Sequence, residues 1–176
     1  MKRFNVAVID ATDIVGQEVV KVLEQRKFPV ASIQLLSPQH SSGVRIPFNR
    51  RRIEVRQAKT GVFRDVDIAF FCTGSDVSCR LAPLAVEAGA TVIDNSSAFR
   101  MNPRVPLVVP EVNPGDIEWH KGIIASPKCS TIQMVVALHP LHKANPVRRV
   151  IVNTYESVSS SGSAALKEMT NQARFV

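Results

Sequence analysis

The residue with the clearest chemical potential is Cys129, which lies where an apolar run ends and a helical pattern begins. Residues 125–133 read ASPKCSTIQ, so Pro127 interrupts the strand-like run just before the thiol. Unpaired backbone N–H groups and the dipole at a helix N-terminus stabilise a thiolate, and the neighbouring Lys128 acts in the same direction. A free cysteine is more often a small buried apolar residue. Cys129 is therefore a candidate nucleophile, with a structural role as the alternative.

Three blocks of sequence carry a resemblance to a known family. They read DNSSAFRM (94–101), VVPEVNP (108–114) and CSTIQ (129–133). In order and spacing they resemble aspartate-β-semialdehyde dehydrogenases, and the resemblance extends over essentially the whole chain. It implies an NADP-dependent oxidoreductase that converts β-aspartyl phosphate to aspartate semialdehyde. That reaction serves lysine (diaminopimelate), threonine and methionine biosynthesis.

The same resemblance assigns roles on the substrate side. Cys129 is the implied nucleophile, whose thiolate forms a thioester with the substrate. Arg100 and Asn95 match an anion-binding block, where an arginine offers a forked contact to phosphate; an arginine that pairs a carboxylate is the alternative. Glu156 stands where the family has a glutamine that holds substrate near the thiol. A carboxylate there opposes the thiolate and repels an anionic substrate, although a protonated Glu156 would imitate glutamine.

The implied cofactor is NADP, although the choice between NADP and NAD stays open, and its binding loop is altered. The family's first turn reads Gly-Ala-Thr-Gly-x-x-Gly, whereas residues 10–16 read DATDIVG, so Asp10 and Asp13 replace two glycines. Glycines let the backbone approach a pyrophosphate, and carboxylates oppose its charge, so we expect weakened NADP binding. Asp13 as a helix N-cap is the alternative interpretation. The cofactor contacts carried over from the family are Thr12, Ile14, Val15, Ser41, Ser42, Gly74, Ser159 and Gly162.

Composition and charge narrow the remaining classes of protein. An apolar share of 45% in 176 residues is enough for a sizeable core. The formal charge of +7 includes a run of arginines at 50–52, which we interpret as a solvated hairpin tip rather than a nucleic-acid site, because no reading element accompanies it. No apolar run is long enough for a signal peptide or a membrane span. Three cysteines without paired spacing predict neither a disulfide framework nor a metal site, which favours a cytoplasmic protein.

The elements that must position these residues alternate between strands and helices. Apolar runs at 4–9, 32–36, 66–72 and 91–94 predict strands, and helical spacing at 14–26 and 77–88 predicts the helices between them. This alternation predicts an α/β fold, a Rossmann-like doubly wound parallel sheet, whose first turn binds a dinucleotide. A hairpin is predicted from strands at 44–48 and 53–56.

The chain after the prolines of residues 103–127 is interpreted as a second unit. We predict an NAD(P)-binding Rossmann-like domain over residues 1–128 and the N-terminal part of an α+β catalytic and dimerisation domain over 129–176. In the second unit, 130–143 is predicted as a helix kinked or ended near Pro140, 147–154 as a strand and 164–173 as a helix.

The resemblance also sets expectations about partners and activity. Family members are longer, and their substrate-binding arginine and catalytic histidine fall beyond residue 176. The implied partners are a small acyl-phosphate or aldehyde substrate, phosphate and a second copy of the chain as a homodimer, with no nucleic acid and no membrane. The alternative is a truncated, catalytically impaired paralogue that acts by binding or by pairing with a subunit.

Overall fold

A computed structural model of the protein describes residues 2–38 and 43–174. Within them lie seven strands: β1 (Phe4–Ile9), β2 (Val30–Ser37), β3 (Arg45–Phe48), β4 (Arg51–Gln57), β5 (Ile68–Phe71), β6 (Thr91–Asp94) and β7 (Ile123–Ala125). The α-helices of the same residues are α1 (Ile14–Gln25), α2 (Ser75–Glu87), α3 (Cys129–Ala144) and α4 (Gly162–Ala173). Two 3-10 helices span Pro114–Trp119 and Val158–Ser161.

The seven strands form one sheet in the order β3-β4-β2-β1-β5-β6-β7. Neighbouring strands are parallel, except that β3 and β4 form an antiparallel hairpin. The chain moves outward from β1 in one direction through β2 and in the other through β5. Open α/β sheets bind ligands where the strand order reverses in this way. The predicted α/β, Rossmann-like architecture is confirmed.

The central strand β1 supports a hydrophobic core on each of its two faces, which explains why its sequence is nearly all apolar. Val6 and Val8 belong to the core that includes Val20 and Leu23 of α1. Alternate residues of the same strand belong to a second core with α2, and its fully buried members include Ala7, Ile9, Phe71, Ala82, Ala85 and Val92. Helices on both faces fix the positions of the loops at the carboxyl ends of the strands.

Gly16 allows the start of α1 to pack directly against the end of β1. A Cβ at Gly16 would overlap the carbonyl oxygen of Asp10 and lie 2.8 Å from the Cα atom of Ala11. We expect Gly16→Ala to lower the free energy of unfolding by about 3 kcal/mol, because the backbone must shift to relieve the overlap. Urea denaturation measures the change. Gly115→Ala is the matched control, since a Cβ there meets nothing within 4 Å, and equal losses for the two variants would contradict the prediction.

The basic hairpin is present but its turn is shorter than predicted. Asn49 and Arg50 have φ values of 47° and 63°, as a two-residue type I′ turn requires. Arg51 and Arg52, which were placed at the tip by the sequence, are the first residues of β4 instead. Both side chains remain exposed, as expected of a solvated hairpin.

The predicted helix at 130–143 corresponds to α3, which continues past Pro140 to Ala144, so of the two alternatives an end at the proline is excluded. The prediction of a strand at 147–154 is wrong, because these residues are extended without belonging to a strand. Alternation of apolar residues yields a strand only where a neighbouring strand supplies hydrogen bonds, and among the described residues none lies beside this segment. The side chains of Val150, Ile151 and Val152 are exposed accordingly, Ile151 by 84%. The predicted helix at 164–173 corresponds to α4, and the division at residue 128 stays a prediction.

The part of the chain that the structure describes contains no membrane-spanning helix, no metal-binding group of side chains and no disulfide. No helix there is long and apolar enough to cross a membrane. No three histidine, cysteine, aspartate or glutamate side chains are grouped so that they could hold a metal ion. The cysteines Cys72, Cys79 and Cys129 are all free thiols.

Candidate active site

Cys129 lies at the junction of two cavities. It is the first residue of α3, its side chain is exposed, and it lines both a cavity of about 640 Å³ and a second of about 610 Å³. The larger one lies between the first turns of α3 and the segment 154–159. The smaller one is bordered by the loops that follow β1, β5 and β6, at the reversal of strand order. The thiol therefore faces the crevice in which this type of sheet binds ligands.

The position of Cys129 follows from how β7 ends. Ala125 is fully buried as the last residue of β7, and the N–H of Ser126 donates to the carbonyl oxygen of Asp94 at 2.8 Å. Pro127 is also buried, and Lys128 has the extended backbone of an N-cap residue but makes no side-chain cap hydrogen bond. The chain therefore enters α3 directly above the sheet edge, with the thiol in its first turn.

Arg100 connects the loop after β6 to the loop that precedes Cys129. Its Nε donates to the carbonyl oxygen of Ser126 at 2.9 Å and its Nη2 donates to that of Asn95 at 2.8 Å. Both of these partners are backbone carbonyl oxygens, so these contacts do not support the alternative of an arginine that pairs a carboxylate. Arg100 and Asn95 also border the 610 Å³ cavity with Cys129. The structure thus brings these three predicted substrate-side residues together.

A buried carboxylate that sequence reasoning missed shapes the same loop. Asp94 is fully buried and accepts hydrogen bonds from the hydroxyls of Ser78 and Ser96, each at 2.8 Å. Ser96 in turn accepts from the N–H of Ala98 at 3.1 Å. These bonds satisfy the buried carboxylate and fix the path of residues 95–98. The serines in CTGSDVS (72–78) and DNSS (94–97) were the available signal.

Glu156 lies on the other side of the thiol and forms an ion pair with Lys128. The Lys128 Nζ and Glu156 Oε2 atoms are 2.6 Å apart, and Glu156 lines the 640 Å³ cavity with Cys129. The pair ties the segment 154–159 to the first turn of α3. The predicted proximity of Glu156 to the nucleophile is consistent with this shared cavity, whereas its partner Lys128 was not anticipated.

The residues carried over as cofactor contacts are distributed over three cavities. Val15, Gly74 and Gly162 line the 610 Å³ cavity, and Ser159 lines both that cavity and the 640 Å³ one. Ile14 lines the larger cavity, and Thr12 borders a third of about 310 Å³. Ser41 and Ser42 lie outside the described residues. The cofactor roles of all eight residues remain predictions.

Asp10 and Asp13, in the loop between β1 and α1, border the crevice together with Gly74 and Gly162. Asp10 has a φ of 62°, a left-handed conformation that glycine adopts more easily. Burial raises the pKa of Asp10, and the charge of Asp13 adds to the rise, while hydrogen bonds with Thr73 and Thr12 act in the opposite direction. Both carboxylates border the same 610 Å³ cavity as Gly74 and Gly162.

Asp13 does not cap α1 through its side chain, although it occupies the N-cap position. No side-chain cap hydrogen bond is formed in α1. Instead, the Asp13 Oδ1 atom accepts a hydrogen bond from the N–H of Ser163 at 3.3 Å, in the first turn of α4. The carboxylate thereby satisfies a free N–H group at the N-terminus of a different helix.

We expect iodoacetamide to modify Cys129 faster than either of the other thiols. Burial, with added repulsion from Asp10, raises the pKa of Cys72 to about 12, so its reactive thiolate is scarce. Cys79 is exposed within α2, whereas Cys129 is exposed at the start of its helix and follows a lysine. Peptide mass mapping after brief labelling measures the three rates. Faster modification of Cys72 or Cys79 would contradict the prediction.

The parallel sheet and the loops at its reversal point have the architecture of a Rossmann-like, dinucleotide-binding domain, and Cys129 lies beside those loops. A family model described as "Semialdehyde dehydrogenase, NAD binding domain" matches residues 5–120. The chain therefore belongs to the semialdehyde dehydrogenase family. This confirms the family resemblance inferred from the three sequence blocks.

Individual relatives extend the similarity across the whole chain. The chain is 49% identical over 172 residues to aspartate-semialdehyde dehydrogenase of Bacillus subtilis, covering 98% of this chain and 50% of the relative. A crystal structure of the Vibrio cholerae enzyme II complexed with ASA aligns with a TM-score of 0.93 at 43% identity, covering 98% of this chain and 52% of that one. The Candida albicans enzyme with NADP aligns at 26% identity with a TM-score of 0.66, covering 83% and 48%. The chain spans about half the length of these relatives.

Proposed function

We propose that this chain carries the nucleophile and the cofactor side of a cytoplasmic, homodimeric aspartate-semialdehyde dehydrogenase. The proposed reaction is the NADP-dependent reductive dephosphorylation of β-aspartyl phosphate to aspartate semialdehyde, in lysine, threonine and methionine biosynthesis. One observation carries the proposal: Cys129, at the start of α3, shares a cavity with Arg100, Asn95 and the loops at the sheet's reversal point. The relatives named above, all aspartate-semialdehyde dehydrogenases, support the choice of reaction.

The residues of this chain account for the acyl-transfer half of that reaction. The Cys129 thiolate attacks the carbonyl carbon of the acyl phosphate, a C–S bond forms, and the C–O bond to phosphate breaks. Phosphate leaves with the electron pair of that bond. In this proposal Arg100 and Asn95 hold the anionic substrate, and the backbone hydrogen bonds of Arg100 fix the direction of its guanidinium group.

The residues of the first turn do not fit the pyrophosphate of a dinucleotide. Gly74 leaves open space for a ligand, since a Cβ there would meet no atom within 4 Å, whereas a Cβ at Gly162 would lie 3.9 Å from the Asp13 Oδ2 atom. Asp10 and Asp13, however, present carboxylates to the same cavity, and Asp13 already occupies the N-terminus of α4. Each carboxylate about 4 Å from a phosphate costs about 1–4 kcal/mol per charge pair. The proposed NADP binding is therefore weak.

A second candidate function is favoured by this poor fit. The bond between Asp13 and Ser163 is an internal contact on the cofactor side of the crevice. A catalytically impaired paralogue that acts by binding or by pairing with a subunit would tolerate such a contact. The two candidates differ in whether Cys129 performs chemistry.

We expect the chain to release phosphate from β-aspartyl phosphate faster than the spontaneous rate. A phosphate assay measures this step directly, because phosphate leaves when the thioester forms and needs no cofactor. Cys129→Ser is the test variant, and Cys79→Ser, which removes an exposed thiol outside both cavities, is the matched control. Release that is equal in the wild type and in Cys129→Ser would reject the proposed function in favour of the second candidate.

A further inference from the structure

We propose that this chain hydrolyses activated acyl esters at Cys129, with Glu156 as the base that directs water onto the thioester. The inference rests on the proposed role of Cys129 as a nucleophile. It does not depend on NADP or on the identity of the natural acyl group. Thioester hydrolysis is therefore a second outcome available to the same acyl-enzyme.

The structure places a carboxylate and the thiol in one cavity. Glu156 and Cys129 both line the 640 Å³ cavity, and Glu156 is joined at 2.6 Å to Lys128, the residue that precedes Cys129. The Glu156 side chain is 26% exposed, so it is neither fully buried nor free in solvent. The ion pair holds the carboxylate beside the first turn of α3, which carries the Cys129 thiol.

Glu156 is the only carboxylate among the described side chains that line this cavity. Besides the thiol of Cys129, the other described side chains lining it are alcohols, apolar groups, an amide and the phenol of Tyr155. His142 lies farther along α3 and accepts a hydrogen bond from the N–H of Val147 at 3.1 Å, outside the cavity lining. A cavity of about 640 Å³ holds a small acyl group together with water.

The chemistry balances without an oxidant or a reductant. In the first step the Cys129 sulfur attacks the ester carbonyl, a C–S bond forms, the C–O bond breaks, and the thiol proton ends on the departing alcohol. In the second step Glu156 takes a proton from water as the water oxygen attacks the thioester carbonyl. The C–S bond breaks, sulfur leaves with its electron pair, and the proton held by Glu156 returns to the thiolate. The sum is ester plus water giving acid plus alcohol.

The test uses p-nitrophenyl acetate and the 176-residue chain without cofactor. We expect steady release of p-nitrophenolate by the wild type and none above background by Cys129→Ala. Glu156→Gln should release about one equivalent per chain in a burst and then slow by roughly 10²-fold or more, because removal of the base affects only the second step. Intact-mass measurement should show an acetyl group that accumulates on Cys129 in this variant. Hydroxylamine should release that group and restore turnover.

Two controls separate a base from a residue that only holds the segment 154–159 in place. Lys128→Met removes the cation that holds Glu156 and favours the thiolate but keeps the carboxylate, so acylation and hydrolysis should both slow and less acetyl-enzyme should accumulate than in Glu156→Gln. Glu118→Gln removes an exposed carboxylate outside the cavity and should behave as the wild type. Steady turnover by Glu156→Gln without an adduct, or equal accumulation in Lys128→Met and Glu156→Gln, would overturn the proposal. Absence of acylation in the wild type would instead remove Cys129 as a nucleophile, and with it the proposed function.

Discussion

Replacing Asp10 and Asp13 together by glycine should tighten NADP binding by roughly a hundredfold, since each carboxylate near a phosphate costs about 1–4 kcal/mol. Both side chains border the cavity that holds Gly74 and Gly162, and the substitution removes two negative charges from it. It also removes the contact between Asp13 and the N–H of Ser163, which frees a donor at the N-terminus of α4 for a phosphate. Titration calorimetry on the two proteins measures the change.

A second double variant divides this effect into charge and space. Asp10→Asn with Asp13→Asn removes both charges but keeps side chains of nearly the same size, and asparagine tolerates the left-handed conformation of residue 10. If charge dominates, this variant should recover most of the affinity gained by the glycines. Tight NADP binding by the unmodified chain would contradict the prediction, because it would mean that the aspartates do not oppose the phosphates.

The pH dependence of NADP binding provides an independent readout of the same conflict. Burial raises the pKa of Asp10, so this carboxyl becomes neutral at a higher pH than an ordinary aspartate as the pH falls. A neutral carboxyl does not repel phosphate, and the affinity of the wild type should therefore increase as the pH is lowered. The double glycine variant shares the titration of NADP itself but lacks both carboxyls. A smaller pH dependence in the variant is the expected difference between the two calorimetric series.

Local sequence patterns predicted most of the fold because they record burial and backbone constraints. The apolar run of β1 is explained by its two covered faces. Gly89, which follows the helical pattern at 77–88, has a φ of 96° just after the end of α2, the conformation in which glycine commonly ends a helix. Residues 147–154 show where such patterns fail. Their alternation resembles that of a strand, but strand formation depends on a neighbour that local sequence does not specify.

The candidate site was predictable as a list of residues but not as a set of contacts. Cys129, Arg100 and Asn95 were identified from blocks of sequence, and the structure brings them to one cavity. The pairing of Lys128 with Glu156 spans 28 positions, and the bond from Ser163 to Asp13 spans 150. Contacts at such separations depend on how α3 and α4 are placed over the sheet. Two of the most chemically informative interactions in the site were therefore inaccessible from the sequence.

The 176-residue chain should not form NADPH from aspartate semialdehyde and phosphate at a rate typical of its relatives. The family resemblance places the histidine that transfers the substrate proton beyond residue 176, and a positioned base usually contributes about 10²–10⁴-fold. Glu156 provides a carboxylate where that resemblance has a neutral amide, and we expect Asp10 and Asp13 to weaken cofactor binding. These differences affect separate steps, so their effects should combine rather than mask one another.

The assay is NADPH absorbance with the purified chain, with Cys129→Ser as the control for thiol-dependent turnover. Glu156→Gln adds a diagnostic comparison, because a neutral amide no longer opposes an anionic substrate but also no longer directs water onto the thioester. Any residual NADPH formation should therefore increase in this variant while hydrolysis of p-nitrophenyl acetate slows. Rapid turnover that depends on Cys129 in the unmodified chain would reject the prediction and require another base within these residues. His139 and His142, both on α3, would then be the first to replace, since that helix begins at the nucleophile.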